Sequence, residues 1–148
     1  MGKVALEQGA WVVVCDGRKV LILENSGDAR FPNLKTREER HLDNPSTQQQ
    51  GTERPGRVHA SVGTARSAVE QTDWHDQAEV AFLREVAKRL NDAALRGETK
   101  SLVLAAPPRA LGVLRAALSA QAAKLVLREI DKDYVHLPVG EIEKRLLA

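Results

Sequence analysis

The chain has 148 residues, 43% apolar and 28% charged, with a formal net charge of +2. That length suits one domain able to bury a sizeable core, and the composition is that of an ordinary globular protein. So small a net charge excludes nucleic-acid binding through bulk electrostatics, and 3% aromatic residues leave few rings for stacking bases.

The longest apolar runs, around Trp11–Val14 and Leu102–Ala106, are too short to span a bilayer, and the N-terminus lacks a signal-peptide core. A single cysteine, Cys15, excludes an internal disulfide and a cysteine-rich zinc site. A reducing cytoplasm is the expected location, with no membrane partner.

In chain order, Trp11-Val12-Val13-Val14-Cys15 and Val20-Leu21-Ile22-Leu23 flank Asp16-Gly17. That pattern predicts a β-hairpin, because Asp-Gly tolerates the positive φ of tight hairpin turns. Asn25-Ser26-Gly27-Asp28 reads as the turn closing the second strand, and a third, polar edge strand is expected within Leu34–Leu42. Residues 43–71 lose periodicity and are rich in Asn, Pro, Ser, Thr, Gln and Gly, which predicts a long loop, either functional or disordered.

Thr72 or Asp73 is the expected cap of a helix of about six turns, carried by Phe82, Leu83, Val86, Leu90 and Ala93 and ended at Gly97. Ser101–Ala106 reads as a buried parallel strand and Arg109–Leu118 as a helix. About Leu125–Ile130 reads as a last strand, and Pro138 opens a terminal helix. The order β-β-β-α-β-α-β-α predicts a single α/β domain over 1–148. Its mixed sheet of about five strands has helices on both faces, the pattern of ribonuclease-H-like folds.

Asp16, at the end of the first strand, reads as a turn residue, since the central strand offers no second acid for a metal pair. No metal site and no cofactor is expected. His75, near Asp73, Asp76 and Glu79, is the one candidate general base, for a hydrolase reading. Cys15 reads as a buried, inert thiol. In the loop, Arg54-Pro55-Gly56-Arg57 sets two guanidinium groups about a turn, and Arg66 follows Gly63. Guanidinium binds phosphate or carboxylate through paired hydrogen bonds, so these arginines are candidate anion or RNA contacts.

The ordered set Trp11–Gly17, Arg54–Arg57, Thr72–His75, Leu102–Arg109 with Leu111-Gly112 and Leu114-Arg115, and Asp131–Pro138 resembles the bacterial host attachment protein family. That family is similar to the central domain of archaeal and eukaryotic peptide-chain release factors. The resemblance implies a ribonuclease-H-like fold and RNA, tRNA or ribosome as partner, with Arg109 added to the candidate contacts. It also implies a link to attachment to host cells, for which a protein-interaction module is the alternative reading. In release factors the long loop carries Gly-Gly-Gln, which positions water at the peptidyl-tRNA ester. This chain has Gln48-Gln49-Gln50-Gly51 and no Gly-Gly-Gln, so binding is expected rather than ester hydrolysis.

Overall fold

The computed structural model describes residues 5–42 and 64–147, with backbone alone for 64–75. Strands β1 (Trp11–Cys15), β2 (Lys19–Asn25) and β3 (Leu34–His41) precede helix α1 (Thr64–Arg96). Then follow β4 (Leu102–Ala105), α2 (Pro108–Ala117), α3 (Ala120–Leu125), β5 (Val126–Ile130) and α4 (Val139–Leu147). They build a five-stranded mixed sheet in the order β3-β2-β1-β4-β5. The first three strands are antiparallel neighbours, whereas β4 lies parallel to β1 and β5 parallel to β4. The expected α/β layout is the observed one.

Strands β1 and β4 are buried along their whole length because both sheet faces are covered. On one face Trp11, Val13, Leu102 and Leu104 pack against Leu83, Val86 and Leu90 of α1 and Leu111 and Leu114 of α2. On the other, Val12, Val14, Leu23 and Val103 meet Leu6, Val135 and Ile142 and Leu146 of α4. Apolar side chains alternating to opposite faces of a strand need helices on both sides to leave water, which explains the two-sided arrangement. Edge strand β3 is the exception: past Leu34 its residues are mostly exposed and charged, as its polarity predicts.

Three details depart from the sequence expectations. The hairpin forms, but without positive φ at Asp16 or Gly17; among the described residues only Gly9 (86°) and Gly97 (74°) adopt it. Asp16 Oδ1 instead accepts the N–H groups of Arg18 (2.8 Å) and Lys19 (2.9 Å), so a side chain closes the turn. Helix α1 starts at Thr64 rather than near Thr72, so residues 64–71 of the expected loop are helical. From Thr64 onward there is no Gly or Pro before Gly97, and Ala65, Ala68, Glu70 and Gln71 are strong helix formers. Finally, α3 was not expected; Ser119 Oγ caps it by accepting from Ala122 N–H at 3.0 Å. Among the described residues, no helix is long and apolar enough to cross a membrane.

Candidate functional site

Because β1, β4 and β5 are parallel, their carboxyl ends share one edge of the sheet. Open α/β sheets place ligands outside the carboxyl ends of strands where the connections diverge, and here β1 turns into the hairpin while β4 runs into α2. A cleft of about 270 Å³ opens at that divergence. Gly17 and Arg18 of the hairpin, Glu79 and Leu83 of α1, and Pro107 and Arg109 at the start of α2 line it. The hairpin approaches α1 so closely that a Cβ on Gly17 would push against the Glu79 side chain, which would have to shift to admit it.

Charge surrounds the cleft in pairs. Arg18 Nη1 lies 3.9 Å from Glu79 Oε2. Arg109 Nη2 donates to Asp76 Oδ1, and its side chain remains 67% exposed. Exposed ion pairs of this kind contribute little to stability, so both guanidinium groups can exchange their carboxylate for another anion at small cost. No side chain caps the first turn of α2, and that turn holds no acid, so its positive end is left uncompensated beside Arg109.

The same edge carries a second cluster. Asp16 Oδ2 faces His136 Nε2 at 3.1 Å. Asp133 joins them, and the ligand atoms of all three lie within 4.8 Å of one another. Asp16 closes the turn, as expected, and β4 offers it no second acid, but Asp133 and His136 approach it from another part of the chain. The partners come from the segment after β5, which the parallel sheet delivers to the end of β1. The signal in the sequence was Asp133 and His136 three residues apart, which becomes meaningful only once that topology is known.

Behind Asp16 sits Cys15, fully buried. Burial first, then the charges of Asp16 and Asp133, push its thiol up to about 12. A thiol held protonated and out of solvent reacts only when the fold opens. At pH 8, a thiol-specific chromogenic reagent is therefore expected to label Cys15 more than roughly a hundredfold slower in native buffer than in urea. Rapid native labelling would contradict this burial.

Of the arginine candidates, Arg109 alone has a described side chain, and it stands at the cleft. Arg54, Gly56, Arg57 and Gly63 lie outside the described residues, as do the side chains of Arg66 and His75, both of which fall on α1. Two of the carboxylates expected to assist His75 have other partners: Asp76 engages Arg109 and Glu79 faces Arg18.

After β3, Leu42 N–H donates to Arg18 O at 2.6 Å, so the last described residue before Thr64 lies beside the cleft. The polypeptide re-enters the described fold in α1, which extends fifteen residues from Thr64 to Glu79, about 22 Å of helix.

Compared with curated proteins, the chain has no match. A family model described as bacterial archaeo-eukaryotic release factor family 12 matches residues 9–146. The sheet, the cleft and the Asp16 cluster all fall within that span, and the chain belongs to bacterial archaeo-eukaryotic release factor family 12.

Proposed function

We propose that this protein is a cytoplasmic, release-factor-like RNA-binding factor. In this reading it engages tRNA or the ribosome through the arginine-bearing segment 43–63 and the cleft beside it. The observation that carries this reading is the cleft at the carboxyl edge of the sheet, where Arg109 stands with Arg18, whose carbonyl accepts the Leu42 N–H. The carboxylate partners of Arg18 and Arg109 there are exchangeable, and in this reading Arg54 and Arg57 add their guanidinium groups to the same contact. Phosphates are the natural targets of such a set, because guanidinium binds them through two parallel hydrogen bonds. Three antiparallel strands leading into parallel β4 and β5 also support a ribonuclease-H-like arrangement, and family membership supports a partner at the translation machinery.

Sedimentation with bacterial ribosomes at rising salt tests the proposal. The wild-type chain should co-sediment, and the combined Arg54→Ala and Arg57→Ala substitutions should lower the logarithmic salt slope by about 1.5, as for two lost phosphate contacts. Arg109→Ala should lower it further. Co-sedimentation indifferent to all three substitutions would sink the arginine contact. Capture of one defined protein that persists after nuclease treatment would favour the protein-interaction module linked to host attachment instead.

A further inference from the structure

Asp16, Asp133 and His136 lie at the carboxyl edge of the sheet but, apart from Asp16, outside the lining of the cleft. Asp16 follows β1, while Asp133 and His136 belong to the connection between β5 and α4. We propose that these three side chains form a site for one divalent transition cation of the zinc or manganese type.

The distances fit such an ion. Two ligand atoms bonded to it at about 2.1 Å, with angles between tetrahedral and octahedral values, lie about 3.0–3.4 Å apart. Asp16 Oδ2 and His136 Nε2 are 3.1 Å apart. Asp133, within 4.8 Å of both and exposed, closes the remaining gap by side-chain rotation. The orientation fits as well. Asp16 Oδ1 is occupied by two backbone N–H groups, which fixes the carboxylate and turns Oδ2 toward the imidazole.

Charge favours a cation at the same point, because two carboxylates, Asp16 and Asp133, converge beside the imidazole. Two carboxylate oxygens with one imidazole nitrogen suit zinc, manganese, iron or cobalt, whereas calcium and magnesium take oxygen ligands. Since Asp133 and His136 are exposed, the remaining coordination positions face solvent and are open to water or a bound oxyanion.

The test uses the full chain, stripped with chelator and titrated with Zn²⁺ by calorimetry at pH 7.5 and with Co²⁺ by visible absorption. One saturable site per chain is expected, with visible bands that intensify as Co²⁺ binds. His136→Ala and Asp133→Asn should each weaken Zn²⁺ binding at least roughly tenfold while leaving far-ultraviolet dichroism unchanged. His41→Ala should retain full affinity, because His41 pairs with Glu39 on β3 at 2.8 Å. Asp16→Asn also touches the hairpin turn, so the other two substitutions decide the outcome. Absence of saturable binding below millimolar Zn²⁺, or binding that survives both His136→Ala and Asp133→Asn, would overturn the site.

Discussion

Asn25→Ala is expected to cost about 3–5 kcal/mol of folding stability, a large share of what a domain of this size possesses. Asn25 is fully buried at the end of β2 and uses its whole amide. Its Oδ1 accepts N–H groups from Gly27 (3.0 Å) and Asn33 (2.8 Å). Its Nδ2 donates to the carbonyls of Leu6 (2.9 Å), Glu7 (3.2 Å) and Asp28 (3.3 Å). One side chain thus joins the N-terminal segment to the β2–β3 turn. The turn is tight at Gly27, where an added Cβ would overlap Phe31 O. Alanine leaves several backbone groups without partners at a buried site, and each costs about 1–3 kcal/mol. Urea unfolding should show the midpoint falling at constant slope.

Asn25→Asp discriminates more sharply, because it keeps the shape and replaces the donor with an oxygen facing three carbonyls. At pH 7 it should be worse than alanine. The introduced carboxyl would have a folded-state pKa raised above its unfolded value by burial and those carbonyls. Its neutral form therefore supports folding at low pH, and that support is lost as pH rises through the folded value. The deficit relative to wild type should shrink between pH 7 and pH 4. A deficit independent of pH would mean that the amide donor is not what holds this corner.

Why some of this was readable in the sequence and some was not comes down to the range of the interactions. The hairpin is local: β-branched runs on either side of Asp16-Gly17 predict it, and even a different turn conformation leaves the pairing of Cys15 with Val20 intact. The end of α1 is equally local, because Gly97 at φ 74° makes the left-handed cap. Its start differs from expectation because Thr72 and Asp73 have the chemistry of a cap, yet cooperative propagation through Ala65–Gln71 favours continuing the helix back to Thr64. The Asp16 cluster was invisible for another reason. His136 is 120 residues from Asp16, and only the parallel alignment of β1, β4 and β5 brings the two together. Arg109 entered the candidates only through the family resemblance, and its partner Asp76, 33 residues earlier, had no local signal at all.

Arg89→Met is expected to remove about 2 kcal/mol at pH 7, and most of that loss should disappear in acid. Arg89, on α1, donates from Nε and Nη2 to Glu38 of β3 at 2.5–3.0 Å. From Nη1 and Nη2 it also donates to Glu98 at 3.1 and 2.9 Å. Arg37 adds bonds to Glu24 (2.8 Å) and Glu98 (3.2 Å). Both guanidinium groups lie over the ring of buried Trp11, at 4.9 Å for Arg37 and 5.2 Å for Arg89. The network fastens the polar edge strand β3 to the long helix, where few apolar side chains of β3 could do so. Only 18% of the Arg89 side chain is exposed, so solvent screens its pairs weakly.

Hydrogen bonds from Arg89 first, and from Arg37 after it, hold the Glu98 carboxyl below its ordinary 4.5. Bonds to Glu98 and Glu38 raise Arg89 in turn, against the opposing effect of burial. A carboxyl depressed in the folded state contributes stability above its unfolded pKa and loses it as pH falls through the folded value. The wild-type chain should therefore weaken in urea as pH drops below about 4.5. Arg89→Met lacks the principal cause of that depression, leaves Glu38 and Glu98 without their shared cation, and should show a flatter acid limb. The two stability curves should converge as pH falls through the depressed folded value of Glu98. Parallel curves would instead assign Arg89 to packing its aliphatic stem on Trp11, a contribution that pH does not alter.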